Sequence, residues 1–162
     1  MRLLIVRHAI AVDRGTPGVP EDERPLTPEG ERRFRRVARG LARIAERPDA
    51  LLTSPLVRAR RTAEIAAKAW GRVVPRPVEA LASGGFDGLA AALAQHDAKA
   101  TVAIFGHEPQ LSAFLARLLG SAGPERLEFR KGGAALVEVP GSIADGGRLV
   151  WYLPPRILRR LG

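Results

Sequence analysis

The chain has 162 residues, 46% hydrophobic and 27% charged, and its 26 Lys and Arg outnumber 17 Asp and Glu for a formal net charge of +9. That length suits one domain with one core, and the composition lies far from that of a disordered chain. The absence of cysteine excludes a disulfide framework, a thiolate metal site and a cysteine nucleophile.

No apolar run approaches the roughly 18 residues that span a bilayer, and the N-terminus lacks the features of a secretory signal, so a cytoplasmic protein with no membrane partner is expected. The basic excess is dispersed. Its densest segment, Arg32, Arg33, Arg35, Arg36, Arg39 and Arg43, falls on the polar side of an amphipathic helix, where charge runs solvate a face. No nucleic-acid partner is expected.

In chain order, residues 2 to 6 predict a first strand in which Leu3 to Val6 are an unbroken Leu/Ile/Val run, the pattern of a strand covered on both faces in a parallel sheet. It ends on Arg7 and His8, which are costly to bury without a partner, so an anion is expected at its mouth. Residues 12 to 25 carry Pro, Gly and acidic residues without periodicity and predict a loop long enough to overhang a site. "LTPEG" then opens a helix, with Thr27 as N-cap, Pro28 in the first position and Glu29 complementing the dipole. Phe34, Val37, Ala38, Leu41, Ile44 and Ala45 form its apolar stripe.

Residues 50 to 53 predict a second strand, and Ser54-Pro55 a second helix reaching Trp70. Residues 73 to 88 hold a short strand and a flexible connection, and residues 88 to 96 a helix. "TVAIF" at 101 to 105 is another buried strand, closed by Gly106 and His107 and followed by a helix from Pro109 to Leu119. "GGAALVEV" and "GRLVWYL" predict a closing antiparallel pair of strands around the turn region Pro140 to Gly147. Trp70, Trp151 and Tyr152 are read as packing residues rather than a base-stacking platform.

Strands alternating with helices predict an α/β three-layer sandwich, a mostly parallel central sheet with helices on both faces, formed by one domain over residues 1 to 162. In such sheets ligands bind beyond the carboxyl ends of the strands. Arg7 and His8, Ser54 to Arg58, and Gly106 to Glu108 would meet there. Arginine forks and helix N-termini suit phosphate oxygens, and a transferring phosphoryl group is served by positioning and electrostatics. There is no phosphate-binding glycine loop and no Asp cluster for magnesium, so catalysis without metal or other cofactor is expected. A neutral imidazole can attack phosphorus in line. His8 is therefore the nucleophile candidate.

"LLIVRHA", "SPLVRARRTAE" and "FGHEP" resemble the three signature segments of the histidine phosphatase superfamily, and "RPLTPEG" at 24 to 30 resembles its SixA-like phosphohistidine phosphatase branch. The resemblance covers nearly the whole chain and implies a phosphoglycerate mutase-like fold. It further implies that His8 is the phosphorylated nucleophile, that Arg7 and Arg58 clamp the phosphate, and that His107 stabilises the transferring group. Arg58 is preferred to Arg60 and Arg61 because the spacing from Ser54-Pro55 matches the family, which leaves Arg60 and Arg61 solvated or paired with Glu64. Where the superfamily has Arg-His-Gly, this chain has Arg7-His8-Ala9.

Other branches supply an acid for the leaving group, and the candidates here are Glu79, Asp87 and Glu108. Glu108 is explained fully by the dipole of the helix it precedes, the stronger reading of it, and Asp87 and Glu79 as loop acids. A departing imidazole needs less acid assistance than an alkoxide, so a weak acid is consistent with a phosphohistidine substrate. The expected activity is a phosphatase acting on phosphohistidine in a protein, by a monomer. The alternatives are a phosphatase of small phosphate esters and a non-catalytic phosphate- or phosphoprotein-binding module.

Overall fold

The computed structural model describes residues 1–71 and 73–162. Its strands are β1 (Arg2–Arg7), β2 (Ala50–Thr53), β3 (Pro75–Pro77), β4 (Thr101–Gly106), β5 (Ala134–Glu138) and β6 (Arg148–Leu153), joined in one sheet of order β3-β2-β4-β1-β5-β6. The first four run parallel, and β5 runs antiparallel to both β1 and β6. The helices are α1 (Pro28–Ile44), α2 (Val57–Ala69), α3 (Gly85–Leu93), α4 (Gln110–Leu118) and α5 (Pro155–Leu161).

Side chains alternate across a strand, and β1 is apolar from Leu3 to Val6, so it supplies both faces of the sheet. Leu4 and Val6 pack with Phe34, Val37 and Leu41 of α1 and Ala63 and Ala66 of α2. Leu3 and Ile5 pack on the opposite side with Leu89 and Leu93 of α3 and Leu111, Phe114 and Leu115 of α4. The expected three-layer α/β sandwich is the observed fold. No helix among the described residues is long and apolar enough to cross a membrane.

Local differences have local causes. Ser54 to Leu56 form a connecting segment, so α2 begins at Val57 rather than at Ser54, with Leu56 as a cap that makes no side-chain hydrogen bond. The helix expected over 88 to 96 is displaced to Gly85–Leu93. α5 is not legible in the sequence, because its seven residues are too few to display a period. It is held by contact, with Leu158 fully buried in the cluster that includes Phe34 and Leu41.

α1 starts as expected: Thr27 Oγ1 accepts from the Gly30 N–H at 2.9 Å, and the Thr27 N–H donates to the Ile10 carbonyl at 3.0 Å. Gly30 lies so close to that strand-following segment that an added Cβ would run into the Ile10 carbonyl oxygen. Because Ile10 is two residues past His8, this contact positions the site as well as the helix. Gly30→Ala is expected to cost about 1–3 kcal/mol through overpacking, read as a lower Tm. An unchanged Tm would mean that the helix start moves freely against the loop.

Candidate active site

The sheet register builds the site. Arg7 of β1 lies opposite Gly106 of β4, and Thr53 of β2 lies opposite Phe105. The ladder continues one step further, with the His8 N–H donating to the Gly106 carbonyl at 3.0 Å and the Ser54 N–H to the Phe105 carbonyl at 2.9 Å. Ser54, His107 and His8 therefore emerge side by side where three parallel strands end. They open onto a cavity of about 770 Å³ whose lining includes Arg7, His8, Arg58, His107 and Glu108.

The two imidazole rings lie 5.1 Å apart, tilted by 50°. His8 Nδ1 is 2.7 Å from the Ala9 carbonyl oxygen. A carbonyl only accepts, so Nδ1 carries the hydrogen and Nε2 keeps its lone pair. His107 Nε2 is 2.8 Å from Ser54 Oγ, which also accepts from the Leu56 N–H at 3.3 Å. The buried His107 Nδ1 has no hydrogen-bond partner in the protein. Ala9 is tied to α2, since its N–H donates to Thr62 Oγ1 at 3.0 Å while that hydroxyl donates to the Arg58 carbonyl at 2.6 Å.

Burial holds both imidazoles neutral. His8 is lowered from 6.5 to about 3, first by burial and then by the charges of His107, Arg58 and Arg7. His107 is lowered to about 3 by burial and by Arg58, Arg24 and Arg7. The unfolded chain takes up protons on these side chains near pH 6.5, while the folded chain does so only near pH 3. Stability from these groups is thus present above pH 6.5 and lost as pH falls towards 3. The imidazole resonances of His8 and His107 are expected not to titrate between about pH 8 and 5, and Tm should fall with acidification. A midpoint near 6.5 for either ring would contradict the buried neutral pair.

Arg58 is 4% exposed, which decides between the three arginines of its helical turn. Arg61 turns away to bind Glu31 and Glu64. Arg7 donates to the Phe129 carbonyl and lies 3.6 Å from Glu128. A further arginine, Arg24, escaped the sequence reading as a site residue. It is 7% exposed, lines the cavity, and donates to the Val12 carbonyl at 2.7 Å and to Glu21 Oε1 at 2.8 Å. The loop over residues 12 to 25 brings it there, closed at its base by the Ala11–Leu26 bridge and by the Val12 N–H donating to the Pro25 carbonyl. The available signal was an arginine directly before "PLT", at the point where that loop returns to α1.

The three candidate acids separate. Glu108 lines the cavity, accepts from Ser112 Oγ, and has its carboxyl raised above the ordinary glutamate value by burial. Asp87 is exposed on α3 and pairs with Arg117 at 3.4 Å, and Glu79 is exposed at the start of a 3₁₀ turn; neither lines the cavity. Glu128 and Lys131, from the segment that leads into β5, complete the rim. Among the described residues, no group of three or more His, Asp or Glu side chains is placed to hold a metal ion.

The chain is similar to known proteins of one family. An uncharacterized protein of Picosynechococcus sp. is 35% identical over 138 residues, 82% of either chain. A structure of the protein histidine phosphatase SixA complexed with tungstate superposes with a TM-score of 0.82 at 24% identity, covering 98% of this chain and 99% of that one. A candidate phosphohistidine phosphatase SixA from Nakamurella multipartitia superposes with a TM-score of 0.75 at 27% identity, over 95% of each chain. The model of the histidine phosphatase superfamily (branch 1) matches residues 3–90, the span that runs from β1 into α3 and carries His8 and Arg58. By that match and by its curated relative, the chain belongs to the histidine phosphatase superfamily.

Proposed function

We propose that this chain, as one histidine phosphatase domain in the cytoplasm, is a metal-independent phosphatase that works through a phosphohistidine intermediate, and that its substrate is phosphohistidine in a protein. The observation that carries the reading is the His8 ring: buried and neutral, pinned through Nδ1 by Ala9, and facing a cavity it shares with Arg7, Arg58 and Arg24. In the proposed reaction His8 Nε2 donates its lone pair to phosphorus as the substrate P–N bond breaks. The bonding pair returns to the leaving ring nitrogen, and a solvent proton already on the other ring nitrogen lets it depart as neutral imidazole. Water then attacks phospho-His8, the pair of the P–Nε2 bond returns to Nε2, and phosphate leaves with one water proton while the other passes to solvent. Arg7, Arg24 and Arg58 bind the equatorial oxygens, and His107 donates to one of them through its unpartnered Nδ1.

A second reading, hydrolysis of small phosphate esters, is favoured by Glu108, whose raised carboxyl can hold a proton for an alkoxide leaving group. Hydrolysis of a phosphohistidine-bearing protein domain, p-nitrophenyl phosphate and a sugar phosphate, each with EDTA, separates the readings. Preference for the phosphohistidine domain, retained in Glu108→Gln, supports the first. Faster ester hydrolysis that collapses in Glu108→Gln establishes the second, and phosphate binding without any turnover makes the chain a binding module.

A further inference from the structure

Glu21 was not singled out in the sequence, yet it collects three of the guanidinium groups around the cavity. Its Oε1 accepts from Arg24 Nη2 at 2.8 Å and from Arg58 Nη2 at 3.2 Å, its Oε2 from Arg14 Nε at 3.3 Å, and its main-chain oxygen from Arg58 Nη1 at 2.7 Å. Arg14, Arg24 and Arg58 all line the cavity, whereas Glu21 does not. The carboxylate therefore grips the arginines from outside the cavity lining. The Nε atoms of Arg24 and Arg58 remain buried without a partner. Two guanidinium groups that share an acceptor repel each other, and a charged acceptor offsets that repulsion: burial and then the charge of Arg24 disfavour the Arg58 cation, while Glu21 favours it.

We propose that Glu21 is a positioning residue: it locks Arg24 and Arg58 into one preorganised clamp, so that their remaining N–H groups face a phosphoryl group. The assignment rests on the reading of this cavity as a phosphoryl site. Long side chains held in one rotamer spare a ligand the cost of ordering them, so loss of the lock weakens anion binding.

The sign of the effect makes the assignment testable. A carboxylate near an anion site repels the anion, so its removal acting through charge alone tightens phosphate binding. Loss of positioning does the opposite. Calorimetric titration with inorganic phosphate, alongside Tm, is the measurement for the wild type, Glu21→Ala, Glu21→Gln and the nearby exposed Glu23→Gln. Glu21→Ala is expected to raise the phosphate Kd about tenfold, and Glu21→Gln, which keeps one acceptor oxygen, by less. Glu23→Gln should leave Kd unchanged or slightly lower. If Glu21→Ala loses its fold, the Gln variant carries the test. An unchanged or lower Kd in Glu21→Gln at unchanged Tm overturns the assignment, while a wild type with no affinity for phosphate overturns the reading of the cavity itself.

Discussion

His8→Ala is expected to lose turnover by about 10⁴-fold or more, the scale on which removal of a catalytic nucleophile acts. Two features concentrate the chemistry on this ring rather than on His107, and a third, neutrality, is shared by both rings. Its Nδ1 is hydrogen-bonded to a group that can only accept, which leaves Nε2 as a lone pair, while His107 Nε2 is engaged by Ser54. Its environment keeps it neutral, so no proton must be lost before attack. Its backbone is fixed on both sides, by the Gly106 carbonyl through its own N–H and by Thr62 through the next residue. Rapid quenching with a phosphate-labelled substrate is expected to trap acid-labile label on the wild type and none on His8→Ala, whose Tm should stay close to wild type because the strand itself is untouched. Label retained by the variant would move the nucleophile to His107.

Replacing Arg58 is expected to have the next largest effect, a loss of about 10²–10³ in kcat/KM, comparable to deleting a principal donor to transition-state charge. Arg58 is held by two bonds to Glu21 and keeps a buried Nε without partner, so its donors are already aimed before a ligand arrives. Lysine preserves the charge but not the planar fork, and it cannot bridge the Glu21 main chain and carboxylate while also reaching a phosphoryl oxygen. Arg58→Lys should therefore recover little of the loss. Glu21 keeps Arg14 and Arg24, so stability should change far less than activity. Near wild-type kcat/KM in Arg58→Lys would show that only a point charge is needed.

The parts of the site that could be read from the chain share one property: each follows the carboxyl end of a parallel strand. Apolar runs identify β1, β2 and β4, and the polar residues that end them, Arg7 and His8, Ser54, and His107, then fall into one row. Arg58 could be read through its spacing from Ser54-Pro55, and it falls on the second residue of α2. Glu128 and Lys131 could not, because β5 is antiparallel and presents its amino end to the site, where its preceding segment docks through the Gly132 N–H on the Arg7 and His8 carbonyls. Arg24 and Glu21 lie in a stretch without periodicity, and their neighbours are set by hydrogen bonds to Val12 and to α2, more than ten residues away in sequence. Glu108 sits where helix-dipole reasoning accounts for it, and only burial beside Ser112 distinguishes it from an ordinary capping acid.

The sequence by itself determined the layer architecture and the strand-end positions of Arg7, His8, Ser54 and His107, because hydrophobic period and strand-end position are local properties of a chain. The tertiary structure alone decided which arginines share a carboxylate, which carboxylic acid enters the cavity, and which nitrogen of each histidine is free. Those depend on burial and on hydrogen-bond partners remote in sequence, and no periodicity along the chain encodes them.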